Sequence, residues 1–274
     1  MVSSEINYQE LVLARIQLHY AIQPLSSVAA AFCKLQPDSS HLALVWDHWS
    51  GFTTQSILSL QSYQFALDPL TLTLAVISDR RHIVATFALA GHTLMDAFDW
   101  TRSVVKALGK SSEQIIPIVY PPDDFPDSEL ARNGIFKLLP QSTSLGEYFE
   151  SANQTLREIV IGEPLASPIR IWPHHFDIAT LISPVTKIAG EPVTIGVGLS
   201  PGDRSYGEPY WYVTCYPYPQ AIDYLPRLDG NGKWHTDHWV GAVLTASQFG
   251  DPSTGMDQVR TFLDSAIAIC KQFP

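Results

Sequence analysis

The chain has 274 residues, 46% of them hydrophobic and 16% charged. That is enough apolar material for a substantial core and it excludes a disordered chain, while the length fits one large domain or two joined halves. A formal charge of −10 with no Lys/Arg cluster argues against a nucleic-acid partner, and 11% aromatic residues with 20 Pro favour strands and turns over a helical bundle.

Three cysteines occur, Cys33, Cys215 and Cys270. Their number is odd, their spacing wide, and no C-x-x-C is present, so no disulfide framework is expected and a reducing cytoplasm is the default. The opening MVSSEINYQE has no basic region leading into an apolar core, so no signal peptide is read. The longest apolar stretch, Leu18 to Phe32, is broken by Gln23, Pro24, Ser26 and Ser27, so a soluble protein with no membrane partner is expected.

In chain order, Leu11, Ala14, Leu18 and Ile22 share one helical stripe and predict an opening amphipathic helix. Pro24 ends or kinks it, and Leu25, Val28, Ala29 and Phe32 begin a second helix. From His41 to Leu89 the segments HLALVW, YQFAL, LTLTLAVI and HIVATFAL read as short strands, with Asp79-Arg80-Arg81 as a hairpin tip. Thr93-Leu-Met-Asp96 is a capping box opening a helix to about Leu108, which Gly109 stops. Ile115 to Tyr120 reads as a strand, followed by the acidic, Pro-rich stretch Pro121 to Pro126. Ser144-Leu-Gly-Glu147 reads as a second capping box, with Leu145, Phe149, Ala152, Leu156 and Ile159 inward to about Val160.

The second half repeats this order. IRIWPHHFDIATLI, VTIGVGL, PYWYVTCY and WHTDHWVGAVL read as strands, and Thr254-Gly-Met-Asp257 as the box opening a closing helix. The two Thr-x-Met-Asp sequences, and the likeness of Trp46-Asp-His48-Trp49 to Trp172-Pro-His174-His175-Phe176, raise an internal pseudo-duplication as one reading. The expected class is α+β, with strand-rich halves each closed by a capped helix. The expected organisation is an N-terminal half at 1–120, a connection at 121–143 and a C-terminal half at 144–274, packed as one compact unit.

Several motifs fail on physical grounds. Gly198-Leu-Ser200-Pro-Gly202 is a literal nucleophile elbow, but Pro201 has no N–H to hold an oxyanion and no helix follows. Gly109-Lys110-Ser111 ends a helix and has Val104 where a phosphate-binding loop needs its first glycine. Gly196-Val-Gly198 opens no helix. Asp229-Gly-Asn231-Gly has Val240 where a calcium loop needs Glu, and so reads as a turn.

One chemical lead survives. His174-His175-Phe-Asp177 and His235-Thr-Asp-His238 put four of nine histidines into two clusters. On a strand His175 and Asp177 share a face, and with His235 or His238 they make a two-His, one-carboxylate set for a metal-dependent, hydrolase-like site. Asp203 and Glu208 then offer an oxygen ligand or a general base. The alternative reading of the same residues is a hydrogen-bonded polar cluster, and on balance no metal is assigned. Asp177, His175, Glu208 and His238 are the catalytic candidates. Trp172, His174, Asp203, Tyr210, Tyr212 and His235 are the ligand-binding candidates, in a half crowded with aromatic rings that can wall a pocket.

Ser167-Pro-Ile-Arg-Ile-Trp172, Phe176-Asp-Ile-Ala179, Gly198-Leu-Ser-Pro-Gly202 and Tyr210-Trp-Tyr212, in this order, resemble a bacterial family of uncharacterised proteins, a domain of unknown function with an S-P-V-x-F-F-W-x-x-F-D-L-A segment. His41-Leu-Ala-Leu-Val-Trp46 and Gly51-Phe-Thr-Thr54 carry the resemblance into the first half. It implies a bacterial protein without established activity. Trp172, Phe176 and Asp177 match that segment and His174 and His175 depart from it, which weakens the metal reading and favours Asp177. The expected function is small-molecule binding or an uncharacterised enzyme, with the pocket in the C-terminal half and no cofactor named. A non-catalytic interaction module or homo-oligomer is the alternative.

Overall fold

A computed structural model describes residues 8–57, 63–121, 125–184, 187–188, 191–219, 224–249 and 255–273. The fold is mixed α+β, in two units. The first comprises residues 1–146 and 170–176, the second 147–169 and 177–274. The division thus falls at Gly146, not in the 121–143 stretch, and a short return of chain belongs to the first unit.

The first unit opens with α1 (Tyr8–Ala21) and α2 (Gln23–Phe32). The predicted stripe is buried from Leu11 to Ile22, and Pro24 sits in the first turn of α2, where its missing N–H costs nothing. Five strands follow: β1 (Leu44–Asp47), β2 (Gly51–Thr54), β3 (Gln64–Asp68), β4 (Thr73–Ile77) and β5 (Ile83–Ala88). With β6 (Arg170–Ile171) they pair antiparallel in the order β6-β1-β2-β3-β4-β5. The first expected strand starts three residues late, at Leu44, because Ser40–Leu42 is a turn of 3₁₀-helix. Gly51 opens β2 at φ +76, where a Cβ would lie 2.5 Å from the Leu67 carbonyl oxygen. Ser78 and His82 close the expected Asp79–Arg81 tip. α3 (Leu94–Ala107) carries both hydrogen bonds of the Thr93–Asp96 box.

Ile115 to Tyr120, expected as a strand, pairs with none among the described residues. Pro117 lacks the N–H a ladder needs, and Ile116 and Val119 are exposed. α4 runs Gln141–Gly162, so Ser144 lies inside it and does not cap it. Leu145, Phe149, Ala152 and Leu156 are buried along its inner stripe.

The second unit holds the rest of α4, then β7 (Ile178–Ile182), the small pair β8 (Lys187–Ile188) and β9 (Glu191–Pro192), β10 (Thr194–Ser200), β11 (Tyr210–Tyr216), β12 (Lys233–His235), β13 (Gly241–Thr245), the short α5 (Ala246–Phe249) and α6 (Met256–Cys270). The main strands pair antiparallel in the order β12-β13-β11-β10-β7. Alternation along β10 and β11 separates two faces. Ile195, Val197 and Leu199 register with Cys215, Val213 and Trp211, all buried. α6 packs on β11, and a disulfide from Cys215 to Cys270, with Cα atoms 5.7 Å apart, ties it there. This corrects the expectation of unpaired cysteines. Spacing in sequence does not reveal which strand and helix will meet. Cys33 is free.

Two expected strands are interrupted. Residues 172–177 form a turn in which the Phe176 N–H donates to the Trp172 carbonyl, with Phe176 at φ +60. WHTDHWVGAVL breaks between β12 and β13, with His238 at φ +67. The closing helix begins after Gly255 with no side-chain cap. Thr254, the expected cap, lies outside the described residues, as do residues 122–124 of the acidic stretch.

Candidate functional site

The second face of the β10–β11 pair carries the polar chemistry of the second unit. Gly196, Gly198 and Ser200 stand opposite Thr214, Tyr212 and Tyr210. Alternate glycines leave the face of β10 bare, and the Tyr212 side chain uses that space. A Cβ on Gly198 would lie 2.6 Å from the Tyr212 hydroxyl and 2.7 Å from the Ile178 carbonyl oxygen. Crossing there, the hydroxyl donates to Asp177 Oδ2, on a carboxylate only 8% exposed.

Tyr210 makes the parallel contact two residues earlier. Its hydroxyl donates to Asp203 Oδ2 at 2.5 Å. Asp203 is fixed by its own loop, since its Oδ1 accepts from the Ser205 and Tyr206 N–H groups at 2.7 and 3.0 Å. Burial first, and then the neighbouring carboxylate, holds both phenols well above their ordinary pKa, Asp203 acting on Tyr210 and Asp177 on Tyr212. They are fixed hydrogen-bond donors and not bases.

The rings continue as a ladder. Tyr212 lies 6.3 Å from Tyr210, and Tyr210 lies 4.9 Å from Tyr206. The Tyr206 hydroxyl is 2.9 Å from His235 Nδ1, and His235 stacks on Trp239 at 4.3 Å. His235 Nε2 meets the Asp237 carbonyl, which can only accept. Nε2 therefore carries the proton and Nδ1 accepts from Tyr206, so neither nitrogen offers a lone pair to a metal. Tyr206, His235 and Trp239 are half-exposed at the outer end, and Asp203 is exposed beside them.

Of the candidate residues, this arrangement gathers Asp177, Asp203, Tyr210, Tyr212 and His235. It excludes the others. His238 is exposed and its ring lies 3.5 Å from its neighbour Asp237. Glu208 receives the Ser247 N–H and hydroxyl at 2.6 and 2.9 Å, so it is engaged at the start of α5 and not poised as a base. Among the described residues no three His, Cys, Asp or Glu side chains are grouped as a metal ion requires. The expected strand that aligned His175 with Asp177 is a turn, which removes the basis of that set.

Trp172, His174 and His175 belong to the first unit. His174 lies 4.2 Å from the exposed His175 ring and 6.0 Å from Trp172. Their turn is held from α1 and α2, where His19 Nε2 donates to the Pro173 carbonyl at 2.8 Å and Gln23 Nε2 to the same oxygen at 3.2 Å. His19 is buried and stacks on Phe176 at 5.0 Å. Burial pulls its pKa down to about 3 against the opposing Pro173 bond, and the charges of Arg15, His175 and His174 add to the fall.

Sequence reasoning gave Gly198 no role at the site and passed over Tyr206 and His19. The signal for the first was present: Gly-Val-Gly followed by Tyr-Trp-Tyr places small residues opposite large ones once two strands register. Family models, curated proteins and solved structures, compared with this chain, gave no match.

Proposed function

We propose that the protein binds a small organic cation on the tyrosine–carboxylate ladder of the second unit, with Asp203, Tyr206, His235 and Trp239 as the outer recognition surface and Asp177, Tyr210 and Tyr212 as its rigid floor. The observation that carries this reading is the Tyr212 side chain laid across Gly198 to Asp177. A phenol aimed over a bared strand at a nearly buried carboxylate is an expensive arrangement for packing alone. Aromatic faces and carboxylates together favour a cation with an apolar body, and one cation already sits there, Lys233 Nζ, 5.4 Å above the Tyr206 ring. The test is a melting-shift screen of organic amines and matched neutral analogues, because a ligand that binds only the folded state raises its melting temperature. Stabilisation by amines and not by their neutral analogues supports the reading, and none by any amine refutes it.

Membership of the uncharacterised bacterial family belongs to the same proposal. It is supported by Asp177, Gly198 and Tyr212, which fall in the resembling segments and act together. A pseudo-duplication keeps the repeated order of strands and then helix as its support. Among the described residues no helix is long and apolar enough to cross a membrane. The cytoplasm was expected from unpaired cysteines, and the Cys215–Cys270 bond favours instead a setting where that pair stays oxidised. The interaction-module and homo-oligomer readings gain no specific observation.

A further inference from the structure

The first unit contains a cleft of about 590 Å³ between the end of α2, the turn before β1 and the start of β6. Its volume lies within the range of ligand sites, roughly 300–1,000 Å³. Phe32 and Ile57 supply apolar wall, and Lys34, His41 and Arg170 supply donors. Two features point to the chemistry it suits. Arg170 Nε is buried and meets no hydrogen-bond acceptor among the described residues, although an arginine nitrogen shut from water ordinarily has one. His41 Nδ1 accepts the Gln36 N–H at 3.3 Å, so the neutral ring carries its proton on Nε2 as a further donor. Gln55 is not a competing donor, because its amide is committed to the Ser40 and Ala43 carbonyls. Lys34 and Arg170 outnumber Asp38, whose Oδ1 accepts the Ser40 N–H at 3.0 Å, so the cleft is a positively charged place on an acidic chain.

We infer that this cleft binds a small organic oxyanion, with a carboxylate or phosphate head on the Arg170 guanidinium and Lys34 and an apolar body against Phe32 and Ile57. Guanidinium geometry matches either head through paired N–H donors. The site is separate from the ladder of the second unit and does not depend on it.

The experiment measures melting shifts with benzoate, phenyl phosphate and inorganic phosphate at constant ionic strength, in wild type, Arg170→Gln, Lys34→Gln and Asp203→Asn. Benzoate or phenyl phosphate should stabilise the wild type more than inorganic phosphate does, and which of the two acts identifies the head group. Arg170→Gln should weaken binding by about tenfold or more and Lys34→Gln by less, as expected for losing a charge-assisted contact. Asp203→Asn should leave it unchanged. Lys34 is exposed, so its variant keeps the test alive if Arg170→Gln does not fold. No shift with either organic anion, or equal shifts in wild type and Lys34→Gln, would overturn the proposal.

Discussion

The Tyr212 hydroxyl reaches Asp177 by passing over Gly198, so a residue on β11 is coupled to the entry of β7 across the strand between them. The contact depends on a missing side chain. Gly198→Ala should therefore do more than fill space. Its Cβ meets the Tyr212 hydroxyl, the Ile178 carbonyl and the Ala179 side chain, all within 2.8 Å. A loss of about 1–3 kcal/mol is expected from overpacking. Adding Tyr212→Phe should recover only part of it in denaturant unfolding, because the Ile178 contact persists.

Tyr212→Phe alone removes the hydroxyl donated to Asp177. The expected cost is about 1–3 kcal/mol, the range for depriving a buried acceptor of a partner. Alkaline titration of tyrosine absorbance gives a second readout. Tyr212 ionises well above the ordinary tyrosine value of 10.0, so an unfolded chain releases that proton first and stability should fall as pH rises past 10. In the Phe variant this alkaline loss should be smaller.

His19 sets an acid limit on the first unit. Its pKa is about 3 in the folded chain against 6.5 unperturbed. Between these values the unfolded state binds a proton that the folded state refuses, so stability is intact above pH 6.5 and is lost as pH falls toward 3. The slope contributed is at most about 1.4 kcal/mol per pH unit. His19→Gln, which keeps an amide donor for Pro173, should flatten the acid limb of the stability curve. An unchanged limb would mean that the ring is not sealed from water.

The Cys215–Cys270 bond closes a loop spanning 55 positions. Loop-closure entropy gives a stabilisation of about 4 kcal/mol for a loop of this size. The Cys215→Ser, Cys270→Ser double variant should unfold earlier in denaturant by up to that amount, and reductant should have little further effect on it.

Much of this fold was legible because it rests on local rules. The α1 stripe, Pro24, the Thr93–Asp96 box and the alternation of β10 and β11 are written in neighbouring residues. The failures share another cause. The 172–177 turn depends on His19 and Gln23, more than a hundred residues away, which hold Pro173. With that turn unseen, His175 and Asp177 looked like partners on a strand. The cysteine pairing likewise depends on α6 packing against β11. Of the site, Asp177, Asp203, Tyr210, Tyr212 and His235 were visible as residue types in one half. Their actual partners were not, because hydroxyl–carboxylate pairs have no spacing in sequence.

Recognition of a cation at the ladder is tested most directly by titration calorimetry of one stabilising amine into wild type and Asp203→Asn. Asparagine can keep the turn's backbone bonds through Oδ1, but it removes the charge beside Tyr206 and its Nδ2 cannot accept the Tyr210 hydroxyl. The account predicts binding weakened by about tenfold or more in the folded variant, near 1.4 kcal/mol. Equal affinity in the two proteins would contradict it.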